Sequence, residues 1–209
     1  MKILLRFFYD QILSKKKFFK DMAVRIYYYS GLPIFIFNKI FKRPYIGSYL
    51  FSDQEAGRNR LEFIRSILKK MNKKKLNILE LGVYCGQNTL SISSLNQKSK
   101  VSHYCVDIFE AYNVSDSNDD FRYKKYNENL KNKKVFNLFL HNIQSIKKNN
   151  KNINFFIKKK TTEEFFLNNS TKFDLIIIDA SHKFAHVYKD IVSSKKSLIN
   201  NGFIVGDDY

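Results

Sequence analysis

The chain has 209 residues, and its 37 lysine and arginine residues exceed its 19 aspartate and glutamate residues, so its formal net charge is +18. This length predicts one domain with an extension. No apolar run approaches the roughly 18 residues of a membrane-spanning helix, and Arg6 interrupts the first apolar run, so we expect neither a transmembrane helix nor a secretory signal. The only two cysteines, Cys85 and Cys105, favour reduced structural thiols over a disulfide or a metal pair. We therefore expect a cytoplasmic protein.

The positive charge is concentrated in the N-terminal third of the chain. Residues 1–75 carry 18 basic and 5 acidic side chains, whereas residues 76–209 carry 19 and 14. Lysine accounts for 30 of the 37 basic residues, a bias that an AT-rich genome also produces. Because lysine rather than arginine dominates, we expect no nucleic-acid partner.

Residues 3–27 have the pattern of a basic amphipathic helix. Such a helix either packs its apolar face on the rest of the protein, as a lid over the substrate, or lies peripherally on an anionic membrane. The pattern consists of apolar side chains near helical spacing and lysines between them: Leu4, Phe8, Ile12, Phe19, Met22 and Ile26, with Lys15, Lys16, Lys17 and Lys20.

The next segment, residues 28–53, contains Gly31, Pro33 and Pro44, which favour an irregular connection. A helix is predicted to follow, over residues 54–71. We therefore divide the chain into an N-terminal extension, residues 1–53, and one domain, residues 54–209.

Residues 76–90, LNILELGVYCGQNTL, predict a buried strand, a tight glycine turn and the start of a helix. Gly82 and Gly86 allow backbone N–H groups to approach a ligand, and the helix N-terminus favours an anionic group. A second strand is predicted over residues 102–110, which include Asp107, 21 residues beyond Gly86. An acid at this distance is placed to accept hydrogen bonds from both hydroxyls of a ribose.

The rest of the chain continues the alternation of helices and strands. Residues 111–120 predict a polar loop and residues 121–148 one or two helices. Further strands are predicted over residues 153–157, in the apolar run that residues 173–182 contain, and over residues 202–209. This order predicts an α/β fold, a Rossmann-like doubly wound parallel sheet with helices on both faces. Four of the strands end in acids or glycines, so we expect the functional site at the carboxyl edge of the sheet.

The motifs resemble those of the class I S-adenosylmethionine-dependent methyltransferases over roughly residues 54–209. The greatest likeness is to small-molecule and sugar O-methyltransferases, methyltransferase domain family 24 and the macrocin O-methyltransferase type. A nicotinamide dehydrogenase would need glycines where Tyr84 and Gln87 stand. Tyr84 also replaces a glycine common in other branches of the resembled family. The resemblance is carried by Glu80-x-Gly82-x-x-x-Gly86, Asp107, Asp179-x-x-His182-x-Phe184-x-x-Val187-x-x-Asp190 and Gly206-Asp207-Asp208-Tyr209.

This resemblance implies a cofactor, a reaction and a set of binding residues. The implied reaction is methyl transfer from S-adenosylmethionine to a hydroxyl of a sugar or other small molecule, as in glycan biosynthesis. A complete family member adds a helix and two strands after the fifth strand, so we expect the last strands to be missing here. Whether the chain forms a homo-oligomer is left open. The implied cofactor-binding residues are Glu80, Gly82, Tyr84, Gly86, Asn88, Asp107, Thr161 and Asp179.

Acids at the ends of neighbouring strands also predict a metal site. Asp179, Asp207 and Asp208 would repel one another unless a cation neutralised them, and oxygen ligands suit Mg²⁺, which could lower the pKa of a substrate hydroxyl. His182, with Asp179, is placed to act as general base. Two alternatives stay open: Asp179 could merely cap a helix, and Asp207 and Asp208 reach one metal only if the chain turns there. A different class of function is also open, a non-catalytic or membrane-associated nucleotide-binding module.

Overall fold

The computed structural model describes residues 17–52, 58–95, 99–111 and 121–206. Its elements follow one another in chain order: α1 (Lys17–Ser30), α2 (Leu32–Ile40), a 3-10 turn (Tyr49–Phe51), α3 (Arg58–Met71), β1 (Lys75–Leu81), α4 (Gln87–Leu95), β2 (Lys100–Asp107), α5 (Phe121–Lys131), α6 (Lys134–Asn149), β3 (Ile153–Lys159), α7 (Thr162–Leu167), β4 (Phe173–Ile178), α8 (Phe184–Ser197) and β5 (Leu198–Gly206). Within these ranges, no helix combines the length and the apolar character needed to cross a bilayer.

The five described strands form one sheet in the order β3-β2-β1-β4-β5, and all four pairs of neighbours are parallel. The strand order reverses at β1, which pairs with β2 on one side and β4 on the other. Leu81, the last residue of β1, pairs with both Val106 and Ile178, so the central strands end at the same edge. The predicted Rossmann-like parallel sheet is confirmed, and its crevice for a ligand lies at this carboxyl edge.

Helices cover both faces of the sheet. Alternate residues of β1 point to opposite sides, with Ile78 packing in a cluster that contains Ile92 of α4 and Leu79 in one that contains Phe165 of α7. All six residues of β4 are buried, as the apolar run of residues 175–178 predicts for a strand covered on both faces, and the buried Asp174 is paired with Lys73. The two clusters hold the strands in register and thereby fix where their carboxyl ends lie.

A third cluster joins the N-terminal helices to the carboxyl edge. Tyr28, Tyr45 and Phe51 are each no more than 1% exposed, and they pack in one cluster with Cys85 of the glycine turn and Phe139 of α6. Side chains from both sides of the predicted boundary after residue 53 therefore share this cluster. The division into an extension and a domain stays a prediction.

The segment predicted to be irregular, residues 28–53, instead contains the end of α1, all of α2 and a 3-10 turn. Pro33 lies in the first turn of α2, where a backbone N–H has no helical partner and the fixed φ of proline suits the helix. The proline thus helps to start a helix. The one or two helices predicted over residues 121–148 are two, α5 and α6, separated at Lys133, whose φ of +57° interrupts the helical backbone.

Candidate active site at the carboxyl edge

The glycine turn after β1 is in direct backbone contact with the end of β4. Gly82 has a φ of +81° and Gly86 a φ of +83°, a region of backbone space that favours glycine. A Cβ added to Gly82 would lie 2.0 Å from the carbonyl oxygen of Asp179. The Asp179 N–H also donates a hydrogen bond to the Leu81 carbonyl, at 2.8 Å. The predicted residues Gly82 and Asp179 therefore lie side by side.

The Asp107 carboxylate holds the glycine turn from the end of β2. One oxygen accepts hydrogen bonds from the backbone N–H groups of Val83, at 2.8 Å, and Tyr84, at 2.9 Å. The other accepts from the N–H of Phe109 at 2.7 Å. Because an ionised carboxylate can accept about four hydrogen bonds, these three contacts with described residues leave one acceptor position for a ligand hydroxyl.

Glu80 is fully buried beneath the turn. Its Oε2 accepts a hydrogen bond from Thr89 Oγ1 at 2.6 Å and lies 3.0 Å from His103 Nε2. Metal-ligating atoms of Glu80, His103 and Cys105 lie within 4.8 Å of one another, but the contacts of Oε2 with Thr89 and His103 describe a packed polar network beneath the cofactor edge. Glu80 Oε1 has no hydrogen-bond partner among the described residues.

Asn88, at the start of α4, presents a second unpaired acceptor. The residue is 5% exposed, and its Nδ2 donates a 3.2 Å hydrogen bond to Asp179 Oδ2. Asn88 Oδ1 finds no partner in the described part of the chain. A buried acceptor without a donor is costly, and a ligand that carries an ammonium group could supply the donor. The chemistry of these acceptors fits the aminocarboxypropyl end of S-adenosylmethionine.

Tyr84 connects the turn to the N-terminal segment. Its hydroxyl donates a 2.6 Å hydrogen bond to the Leu50 carbonyl, and its ring stacks on Tyr126 with centroids 5.0 Å apart. Burial raises the pKa of the Tyr84 hydroxyl, so this group stays a hydrogen-bond donor. The side chain that replaces the usual glycine thus has its own structural contacts, and its backbone N–H faces Asp107.

A cleft of about 1100 Å³ opens at Gly82 and Asp107. One end is lined by Gly82, Asp107, Thr161 and Ser181, and the cleft then runs between α7 and α8 as far as Lys172. Of the eight predicted cofactor-binding residues, all of which the structure describes, Gly82, Asp107 and Thr161 line this cleft. The cleft thus joins the cofactor edge to a groove on one face of the sheet.

Thr161 caps α7. Its hydroxyl accepts a hydrogen bond from the Glu164 N–H at 3.2 Å, and Glu164 Oε2 accepts one from the Thr161 N–H at 3.0 Å. The hydrogen bonds that the Thr161 N–H and the Thr161 hydroxyl donate to the Glu164 carboxylate lower the pKa of Glu164. The reciprocal pair is a capping box that fixes Thr161 at the cleft wall.

The predicted base and metal residues are only partly described. Asp179 is partly buried beside Asn88, while His182 is exposed and lies before α8 rather than on it. Instead His186, in the first turn of α8, lines the cleft, with Nδ1 3.0 Å from Ser181 Oγ. Asp207 and Asp208 lie outside the described residues, so the three-acid metal site stays a prediction.

Asn142 of α6 is a structural residue of this site that the sequence did not reveal. Its side chain is 1% exposed. Its Oδ1 accepts a hydrogen bond from the Tyr45 N–H at 2.7 Å, and its Nδ2 donates one to the Tyr45 carbonyl at 3.0 Å. It also donates to the carbonyl of Cys85 in the glycine turn, at 2.9 Å. One asparagine thus links the N-terminal segment, α6 and the turn. No local pattern marks it among the many asparagines of this chain.

The sequence profile of the family described as "Methyltransferase domain" matches residues 79–209, more than half of the chain. Among curated proteins, no sequence matches.

Similar solved structures include a Klebsiella pneumoniae protein assigned as an O-methyltransferase, with 15% identity and a TM-score of 0.46, and an SAH-bound Podospora anserina methyltransferase, with 18% and 0.47. An S-adenosylmethionine-dependent methyltransferase of Agrobacterium tumefaciens has 13% identity and a TM-score of 0.40. The matches cover 74%, 75% and 71% of this chain, and 57%, 55% and 43% of those chains. This chain thus spans about half the length of these structures.

Proposed function

We propose, from the premise that this chain belongs to the class I S-adenosylmethionine-dependent methyltransferase family, that the protein transfers a methyl group to a hydroxyl oxygen of a sugar or another small molecule. The observation that carries the proposal is the glycine turn itself. Asp107 holds it at the carboxyl edge, and the buried acceptors Glu80 Oε1 and Asn88 Oδ1 adjoin it in the chain.

In this proposal the chain's own groups bind and orient the cofactor. The first-turn N–H groups of α4 favour its carboxylate, and Asn88 Oδ1 accepts from its ammonium group. Asp107 uses its remaining acceptor position for a ribose hydroxyl, and Thr161 lies near the adenine. When bound, S-adenosylmethionine supplies the methyl group on a sulfonium, which is the electrophile of the reaction. The proposed binding set is Glu80, Gly82, Tyr84, Gly86, Asn88, Asp107, Thr161 and Asp179.

The acceptor hydroxyl must lose a proton during transfer. We assign the role of general base, which takes this proton, to His182 acting together with Asp179. Asp179, Asp207 and Asp208 would hold Mg²⁺, a cation that lowers the pKa of a hydroxyl bound to it. Support for this acid set comes from the register, because Ile178 pairs with Gly206, and Asp179 and Asp207 directly follow this pair in sequence.

Calorimetry with S-adenosylhomocysteine tests the cofactor site. The full chain should bind it, and Asn88→Ala or Asp107→Ala should each weaken binding by about 1–3 kcal/mol, the cost of leaving buried polar groups unpaired. Asn137→Ala is the matched control, since Asn137 is exposed on α6. A folded protein that shows no binding at all would contradict the proposal.

A methyl-transfer assay tests the chemistry. Labelled S-adenosylmethionine is offered with a panel of nucleotide sugars and simple hydroxyl compounds, with Mg²⁺ or with excess chelator. His182→Ala should lower the rate about 10²–10⁴-fold, and His186→Ala shows whether the histidine in the cleft is the base instead. Full activity in chelator refutes the metal role. Cofactor binding without transfer to any acceptor would favour the non-catalytic module.

A further inference from the structure

The helix α2 is apolar in sequence yet lies on the surface. Its residues, LPIFIFNKI, contain one charge, and none of the nine, all of which the structure describes, is buried. A helix that is hydrophobic around its circumference is normally enclosed by protein or by lipid. Five large side chains in and just after α2 are between 47% and 68% exposed: Ile34, Ile36, Phe37, Ile40 and Phe41.

One face of α2 is anchored to the protein. Phe35 packs its ring on Tyr45 and Tyr49, with centroids 5.4 and 4.9 Å apart. Asn38 Nδ2 donates a 3.0 Å hydrogen bond to the Pro44 carbonyl. At 100° per residue, Ile34, Ile36, Phe37, Ile40 and Phe41 share the opposite arc of about 160°. The outward face is therefore held in place and continuous.

Positive charge borders this face at the C-terminal end of α2. The Arg43 guanidinium lies 5.8 Å from the centroid of the Phe37 ring, and Lys39 Nζ lies 6.0 Å from that of Phe35. Lys42 directly follows Phe41. Residues 31–52 contain no aspartate or glutamate, so the sequence provides no acid in this segment to neutralise these cations. An apolar arc bordered by cations, in a segment that contains no acid, complements a surface of lipid tails and anionic headgroups.

We propose that α2 docks the protein on an anionic membrane, with its outward apolar side chains at the boundary of headgroups and acyl chains. Lys39, Lys42 and Arg43 then pair with lipid phosphates. A second copy of this chain is a poorer occupant, because it carries the same formal charge of +18 and would repel the patch. The docking element is thus α2, and the proposal does not use the segment 3–16 of the predicted amphipathic helix.

The absence of tryptophan from the sequence allows a sharp test. Phe37→Trp places the only tryptophan on the docking face, and Phe63→Trp places it on α3 at a side chain that is also exposed, at 55%. Each full-length variant is titrated with vesicles of phosphatidylcholine, alone or with 30% phosphatidylglycerol. The emission of Phe37→Trp should shift to the blue with the anionic vesicles only, and that of Phe63→Trp should not shift.

Sedimentation with the same vesicles measures affinity. The triple variant Lys39→Gln, Lys42→Asn, Arg43→Gln should bind about fivefold more weakly for each neutralised charge. Ile40→Ser, a mild change at a side chain that is 68% exposed, should also weaken binding, and Phe63→Ser should not. Thermal unfolding verifies that each variant is folded.

Three results would overturn the proposal. One is equal binding by wild type and the charge variant, and another is an equal blue shift at both tryptophan positions. The third is self-association in sedimentation velocity, lost in Ile40→Ser, with no vesicle binding, which would assign this face to a contact between copies.

Discussion

Two independent constraints exclude a side chain at Gly82. Its φ of +81° disfavours any side chain, and a Cβ would meet the Asp179 carbonyl oxygen at 2.0 Å. We expect Gly82→Ala to lower the free energy of unfolding by at least about 2 kcal/mol, measured by urea denaturation, because the backbone of β1 or β4 must shift. Gly202→Ala is the comparison, since Gly202 lacks a positive φ and its Cβ would meet the Leu198 side chain at 2.8 Å and the Asp174 carbonyl oxygen at 3.0 Å, both farther than 2.0 Å. A larger loss at Gly202 would contradict this reasoning.

The Glu80 and His103 pair should behave as a unit. Both side chains are 0% exposed, so removing one leaves the other buried with fewer polar contacts. We expect His103→Leu to cost about 3 kcal/mol or more of stability, and Glu80→Leu in the same chain to recover part of that loss. Urea denaturation of the single and double variants gives the coupling energy. Strict additivity would show that the contact contributes nothing.

At the scale of elements, Asn142 holds three segments together. We expect Asn142→Ala to lower stability by about 2–4 kcal/mol, since it removes three buried hydrogen bonds to Tyr45 and Cys85. It should also weaken S-adenosylhomocysteine binding, because the Cys85 carbonyl belongs to the glycine turn. Asn137→Ala on the same helix should leave both quantities within about 0.5 kcal/mol of wild type. Unchanged S-adenosylhomocysteine binding in Asn142→Ala would show that the hydrogen bond from α6 does not shape the glycine turn.

The strands are the elements that sequence predicts best. The run of residues 175–178 is apolar throughout and lies between polar residues, and a strand covered on both faces suits such a run. The glycine turn and Asp107 follow from spacing, since the distance between strands in a βαβ unit is nearly fixed.

Other features depend on contacts that no local pattern encodes. Whether Pro33 ends a helix or begins one depends on the packing of the residues around it. The partners of Asn142 lie 97 and 57 residues away, so its role exists only in the folded chain. Whether His182 or His186 faces the cleft depends on where α8 begins, and helix boundaries are the least predictable feature of a sequence.

At the scale of the whole molecule, burial of both thiols couples stability to pH. Burial raises the pKa of Cys85 and Cys105 well above their ordinary value. In the unfolded chain these thiols ionise near pH 8.5, while in the folded chain both thiols stay protonated at that pH. The folded state therefore binds more protons at alkaline pH, and the stability present below about pH 8.5 is lost as the pH rises.

We expect the free energy of unfolding in urea, with a reducing agent, to fall between pH 7.5 and pH 9.5 by about 1 kcal/mol for each thiol. The double variant Cys85→Ala, Cys105→Ala should show a flatter profile. Ellman's reagent should label neither thiol of the native protein rapidly and both after denaturation. Rapid labelling of the native chain would show that a thiol is accessible.

The hydrogen bonds of Asn142 have one more consequence. Phe35 of α2 packs on Tyr45, Tyr45 is bonded to Asn142, and Asn142 holds the Cys85 carbonyl in the glycine turn. A surface bound at α2 and a ligand bound at the turn therefore act on one connected set of contacts. Thermodynamic reciprocity then applies: any factor by which a membrane tightens cofactor binding is the factor by which the cofactor tightens membrane binding. If α2 docks on a membrane as proposed, S-adenosylmethionine binding and membrane binding would be linked equilibria.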